Sequence, residues 1–217
     1  IYCGYEIDEL AGRVSYEEVV HLLHHNHLPS VKELEELRST LLGFRDLPKG
    51  VVDSIRTLPR TTPPMHALRT AISVLGCFDT TAEDDSQHAQ RRKALRLISQ
   101  IPVVTAYFHR HRQGLELVHP DPKLGEAANF LYMINGTRPT RDMENTMDLC
   151  YVLHADHGMN ASTFAARVTI ATLSDMYSAI TSAIGALKGP LHGGANEGVI
   201  KMLQEIGSLR SEEHTSE

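Results

Sequence analysis

Apolar residues recur along this chain at steps of three and four, the spacing that gathers them on one face of a helix. Ser15 and Glu18 stand at capping-box spacing ahead of Val19, Val20, Leu22 and Leu23. Ser30 and Glu33 repeat that signal before Leu34, Leu37, Leu41 and Phe44. Further helices are predicted over about 65–78, 91–114 and 124–135, and Pro102 is expected to kink or split the second of these. Another is predicted to begin at Pro139, a residue suited to the first helical position, with Met143, Met147, Cys150, Tyr151 and His154 on one face. Alternating apolar and polar runs of strand type are nearly absent. The predicted fold class is all-α.

Residues 161–187 differ in character: sixteen of these 27 are Ala, Ser, Thr or Gly. Small side chains let helix axes approach closely, so a helix or helix pair here fits either a central core or a subunit interface. Arg167 and Asp175 argue against a membrane helix. Segment 79–91, with Asp79, Glu83, Asp84 and Asp85, is expected to be a solvated acidic connector.

Composition narrows the classes. The 217 residues are 41% hydrophobic and 22% charged, which suits a folded globular chain rather than a disordered one. A net charge of −6 and the lack of a Lys/Arg run argue against nucleic acid and membrane surfaces as partners. No apolar run is long enough to span a bilayer. Three scattered cysteines (Cys3, Cys77, Cys150) offer neither a disulfide framework nor a CxxC metal pair, which fits a reducing, cytoplasmic setting. The chain opens with no signal or transit pattern, and not with Met.

Thirteen histidines make each cluster worth weighing. His21, His24, His25 and His27 crowd one predicted helix end, but no carboxylate or Cys lies among them in sequence, so solvated histidines and no metal are expected. His109 and His111 alternate with Arg110 and Arg112, as on a polar helix face.

Two other histidines sit at helix junctions. In Leu153-His154-Ala155-Asp156-His157-Gly158-Met159-Asn160-Ala161-Ser162-Thr163 the break falls near Gly158, and Asn160 or Ser162 can cap the next helix. His157 there lies beside free backbone N–H groups that suit an anion, although a purely structural junction histidine fits equally well. In Lys188-Gly189-Pro190-Leu191-His192-Gly193-Gly194-Ala195-Asn196-Glu197, Pro190 suits a helix start and the paired glycines leave room for a ligand. A histidine in the first helical turn is expected to be neutral, able to donate to a developing enolate oxygen.

The stretches HADHGMNASTFAARV, TLSDMYSAITSAIGALKGPLHGGANEGV and YCGYEIDEL resemble the citrate synthase family, including bacterial citrate and 2-methylcitrate synthases. HLPSVKELEELR, PMHALRTAISVLGCFD and EAANFLYMINGTRP follow the same family, so the likeness covers roughly residues 2–207. The resemblance implies an all-helical, two-domain homodimer that condenses acetyl-CoA or propionyl-CoA with oxaloacetate and water to citrate or 2-methylcitrate plus CoA. It implies an acyltransferase of the tricarboxylic acid or methylcitrate cycle, with no metal or other cofactor. By motif position His192 matches the histidine that supports enolisation, and His157 the one that binds oxaloacetate. Asn160 is a nearby carry-over to oxaloacetate binding, and His154 is structural. Residues 161–187 match helices packed at the family's dimer interface.

Two departures accompany the resemblance. Many members carry Glu where this chain has Gly158. The family's second catalytic histidine, its catalytic aspartate and its oxaloacetate-clamping arginines lie in later motifs with no counterpart here. The implied organisation is a large helical domain over 1–192, lacking its N-terminal start and C-terminal return, and the first helix of a truncated small domain over 193–209. The last eight residues, Arg210-Ser211-Glu212-Glu213-His214-Thr215-Ser216-Glu217, are expected to be translated sequencing adapter. The fragment is accordingly expected to be inactive. Two other readings are a non-catalytic dimerisation or small-acid-binding fragment and a helical metal-dependent phosphohydrolase. The latter needs a His-Asp dyad, whereas Asp156-His157 runs in the opposite order.

Overall fold

The computed structural model describes residues 1–207. Among them, eleven helices follow one another with no strand: α1 (Ile7–Leu10), α2 (Tyr16–His25), α3 (Val31–Phe44), α4 (Lys49–Thr57), α5 (Pro64–Gly76), α6 (Gln87–Gln113), α7 (Glu126–Asn135), α8 (Arg141–His154), α9 (Ala161–Ile170), α10 (Met176–Leu187) and α11 (Gly194–Ile206). The expected tail at 210–217 lies outside the described residues. None of these helices is long and apolar enough to cross a membrane.

Both capping boxes form. Ser15 accepts from the Glu18 N–H while Glu18 reaches back to the Ser15 N–H, and Ser30 and Glu33 do the same. Each arrangement satisfies two backbone donors that a helix start leaves unpaired. The helix after Pro139 starts later than predicted. Thr140 is its cap, its hydroxyl accepting from Met143, so the proline stands outside the helix. Pro102 does not split α6, which runs 27 residues. The backbone bond that Pro102 cannot make is outweighed by the burial of Val103, Val104, Ala106, Tyr107 and Phe108 just beyond it. The helix α4 is not among the predicted elements; Val51 and Ile55 on its inner face are fully buried.

The main core gathers around α6. Val51 and Ile55 of α4, Ala71, Ile72 and Leu75 of α5, Met133 of α7, and Tyr177 and Ile184 of α10 pack against Leu97, Val104 and Tyr107. A second cluster joins Tyr2, Leu10, Val19 and Leu22 to Val152 of α8. The Tyr2 hydroxyl donates to the Val152 carbonyl at 2.9 Å, fastening the first residues to the end of α8.

Several polar groups expected at the surface are inside. Asp79 is buried rather than solvated: one carboxylate oxygen accepts from the Tyr177 hydroxyl at 2.6 Å and pairs with Arg96 at 2.9 Å. Its other oxygen accepts from the Thr81 N–H and hydroxyl. Lys93, also buried, donates to the carbonyls of Ala82 and Asp84 and holds the acidic connector against α6. Arg110 is likewise buried and reaches the carbonyls of Glu116 and Ile134, so the His/Arg alternation is not a solvated face.

His21 corrects the histidine expectation. It is buried, and Asn26 in the left-handed conformation turns the chain so that Glu33 of α3 comes beside His21 and His27. A carboxylate distant in the motif is thereby near in space.

One ion pair links three helices. Arg45, the C-cap of α3, places Nη2 2.9 Å and Nε 3.1 Å from Glu126 Oε1 at the start of α7, while Nη1 donates to the Asp121 carbonyl. Glu17 of α2 accepts from the Glu126 N–H at 2.9 Å. All three side chains are buried, and burial raises the Glu126 carboxyl against the opposing pull of Arg45.

Removing one partner of such a pair strands a charge in low dielectric. Arg45→Met is therefore expected to cost about 3–5 kcal/mol in urea unfolding, and Arg45→Met with Glu126→Leu much less. A single-variant loss near zero would show that the pair does not hold these helices. Burial pushes the Asp79 carboxyl up, but hydrogen bonds from Tyr177 and Thr81 and the charge of Arg96 outweigh it and hold the group at about 2. Its folded pKa is depressed, so its stabilisation is complete above the unfolded value of about 3.9 and is lost as pH falls through 2. Asp79→Asn should be less stable at pH 7 and lose less stability between pH 4 and 2; parallel acid limbs for the two proteins would contradict this.

Candidate functional site

Helices α9 and α10 form an antiparallel hairpin whose facing positions are small. The Thr169 hydroxyl, in the last turn of α9, lies 3.0 Å from the Ser182 hydroxyl in the middle of α10, an approach that bulky side chains would prevent. The 161–187 segment is thus two helices rather than one. Their burial differs: α10 buries Tyr177, Ala179 and Ile184 in the core, while α9 has no fully buried residue.

The hairpin returns the end of α10 to the start of α9, and there two predicted stretches meet. The imidazole of His192 lies with Nε2 2.8 Å from the Ser162 hydroxyl. His192 is half-buried and precedes the N-cap Gly193; α11 begins at Gly194, not at Pro190. The histidine therefore stands just outside the helix rather than in its first turn. Its own N–H donates to the Gly189 carbonyl at 3.0 Å.

Gly193 has a specific reason to lack a side chain. An added Cβ would fall 2.2 Å from the Leu187 carbonyl oxygen, which accepts the Gly193 N–H. The close approach that requires glycine is thus the chain's own backbone, and it fixes the peptide adjoining His192.

The other stretch is the loop between α8 and α9. Gly158 sits at φ +64, the left-handed region, where a residue with a side chain is strained. The Gly158 N–H donates to Asp156 at 2.8 Å, and Asn160 caps α9 by accepting from the Thr163 N–H at 2.9 Å. Asn160 thus has its carbonyl oxygen committed, and only its amide NH2 remains for a ligand.

His157 is exposed, and its ring makes no hydrogen bond among the described residues. His154 is exposed too, with Nδ1 2.7 Å from the Cys150 carbonyl of its own helix. Ser162 and His192 meet at the start of α9, the helix that Asn160 caps, where backbone donors and the helix dipole favour an anion. His157 stands in the loop leading to that point without bonding to the others.

Ser162 is the residue that sequence reasoning misses. Its place just inside the helix suggested a cap, but Asn160 takes that role and leaves the hydroxyl for His192. Only the hairpin geometry reveals the partnership across 30 positions.

Between α6, α8, α9 and α10 opens an apolar groove of about 700 Å³, lined by Ile98, Ile101, Phe130, Met147, Tyr151 and Ile180 among others. None of the site histidines lines it, and Arg167 is its one charged lining residue.

Comparison with known proteins gives a consistent result. The family model described as citrate synthase, C-terminal domain, matches residues 1–215. Citrate synthase 2 of Bacillus subtilis is 50% identical over 98% of this chain and 57% of its own length. 2-Methylcitrate synthase 2 of Corynebacterium glutamicum is 42% identical, over 94% of this chain and 55% of its own. A citrate synthase of Thermoplasma acidophilum, solved as a ternary complex with carboxymethyl coenzyme A and oxaloacetate, superposes with a TM-score of 0.88 at 32% identity, covering 94% of this chain and 54% of that one. The chain spans about half the length of the relatives it matches.

Ser162→Ala removes the hydrogen-bond partner of His192 Nε2. The ring-nitrogen NMR pattern of His192 is expected to shift from one dominant tautomer toward a mixture, while that of His154 stays fixed. An unchanged His192 pattern would show that Ser162 does not set its tautomer.

Proposed function

The chain belongs to the citrate synthase family, and we propose on that footing that the protein it forms part of condenses an acyl-CoA with oxaloacetate. The methyl carbon of acetyl-CoA, or the methylene carbon of propionyl-CoA, forms a bond to the ketone carbon of oxaloacetate. Water then cleaves the thioester, releasing CoA and citrate or 2-methylcitrate. The observation that carries this reading is the hydrogen bond between Ser162 and His192 at the start of α9.

Removing a proton beside a thioester leaves negative charge on the carbonyl oxygen, and a positioned donor lowers the barrier. With the Ser162 hydroxyl donating to Nε2, the proton of a neutral His192 ring resides on Nδ1. That N–H is then free to donate to the enolate oxygen. His157 donates to a carboxylate or the ketone of oxaloacetate, and the Asn160 amide adds a donor beside the N-terminus of α9. No metal or other cofactor is required, since the acyl-CoA is a substrate.

The carboxylate base belongs to a motif not found in these 217 residues. On this reading the isolated chain is inactive: it has a donor for the enolate but no base to create one. Residues 1–192 contribute most of the large domain, and 193–209 open the smaller one. The exposed apolar side chains of α11 (Val199, Ile200, Met202 and Leu203) suit a helix awaiting neighbours, and the groove beside α9 suits a further helix of the large domain. Dimerisation through 161–187 is supported by Phe164 and Val168, exposed one turn apart on α9, with Leu173 beyond them. The three free cysteines are compatible with a cytoplasmic setting.

A phosphohydrolase has no comparable support. Asp156 spends an oxygen on the Gly158 N–H, and His157 does not pair with it.

The kinetics of the complete protein test this assignment. His192→Ala is expected to lower kcat at least about a hundredfold, as loss of an enolate donor does. His157→Ala should act chiefly by raising KM for oxaloacetate. Near-normal kinetics in either variant would remove that residue from the site, and thiol release by the 217-residue chain above background would refute its inactivity.

A further inference from the structure

We propose that His21, His27 and Glu33 form a binding site for one divalent transition-metal ion of the zinc class. It lies between the C-terminal end of α2 and the first turn of α3. One ring nitrogen from each histidine and one carboxylate oxygen all lie within 4.8 Å of one another. The site involves none of the residues assigned to condensation and does not rest on that assignment.

The hydrogen bonds around the three groups leave one ring nitrogen on each histidine and one Glu33 oxygen uncommitted. His21 Nδ1 lies 3.1 Å from the His27 carbonyl, and His27 Nδ1 lies 3.0 Å from the Leu28 carbonyl. A carbonyl only accepts, so each Nδ1 carries the proton and each neutral ring keeps the Nε2 lone pair for a Lewis acid. A backbone carbonyl on the far nitrogen is the outer contact that metal-binding imidazoles commonly use. On Glu33 both Ser30 bonds, from the N–H at 2.8 Å and the hydroxyl at 2.7 Å, fall on Oε2. Oε1 remains for a ligand.

Two imidazoles and one carboxylate make a zinc-type donor set with a fourth position for water. Zinc bonds of about 2.0–2.1 Å put tetrahedral ligand atoms about 3.3 Å apart, so the group closes by at most about 1.5 Å. His21 is buried and stacked on His25 at 4.3 Å, while His27 is exposed and Glu33 half-buried. The outer two ligands supply the movement toward the fixed one. The ion would then staple the end of α2 to the start of α3 across the turn at Asn26.

The test is calorimetric titration of the metal-free 217-residue chain with Zn²⁺ at pH 7.5, with Co²⁺ absorption reporting coordination geometry. We expect one saturable equivalent and tetrahedral-type Co²⁺ bands. His27→Gln and Glu33→Gln should each bind more than about tenfold more weakly with the helical circular dichroism unchanged. Gln at position 33 keeps the capping box, and His27 is exposed, so neither variant endangers folding. His25→Gln should bind as the parent chain does. Binding that is absent, or equally tight in either of the first two variants, overturns the site. Zinc held only by the exposed Cys3, Cys77 or Cys150 would give that second result.

Discussion

The position of the candidate site rests on one buried carboxylate. Asp79 leaves the end of α5, accepts from Tyr177 at the start of α10, and pairs with Arg96 on α6. It is the polar joint between the helical body and the α9–α10 hairpin. The fit around it is close, since a side chain on Gly76 would strike Tyr177 at 2.9 Å. Because α9 has no fully buried residue of its own, its placement follows from α10, and the placement of α10 follows from this joint and from Ile184 in the core. The Ser162–His192 bond is therefore supported from Tyr177, at the far end of α10 and 15 residues before His192, rather than by packing beside the imidazole.

What the sequence made legible was local. Ser15 with Glu18 and Ser30 with Glu33 announce their helices because a capping box is complete within four residues. The motif around His192 and the small residues of 161–187 are also contiguous, and each was readable. Asp79, Lys93, Arg110 and Arg45 were not, because a charged side chain looks solvated until its partner is known. Their partners are the Tyr177 hydroxyl, two connector carbonyls, the Ile134 carbonyl and Glu126, all of which arrive by tertiary folding. Burying such groups is tolerable only when every one is hydrogen-bonded, and here the bonds are present.

The histidines show the same limit from another side. His21, His154, His157 and His192 are alike in sequence, yet each is placed differently. His21 is buried with one nitrogen on a carbonyl; His154 is exposed and back-bonded to its own helix. His157 is exposed with no bond to the described residues, and His192 faces a serine hydroxyl. The partner on one nitrogen decides what the other nitrogen does. A carbonyl enforces an Nδ1 proton and frees Nε2 as a base or ligand. A hydroxyl adapts to either state, so it suits a ring whose remaining nitrogen must present a proton.

On the reading proposed above, that contrast explains how one half of a reaction can be set up without the other. The ring of His192 is held by Ser162, its backbone by the turn at Gly189–Gly193, and both devices lie within 32 consecutive residues. Such preorganisation is a local property of the hairpin and needs nothing further along the chain. Enolisation is different, because the donor stabilises charge only as a base takes the proton. On the proposed reading, a donor in place but unaccompanied lowers no barrier. Completing the chemistry then depends on bringing a carboxylate to the exposed side of His192, past α11, whose apolar residues are still turned to solvent.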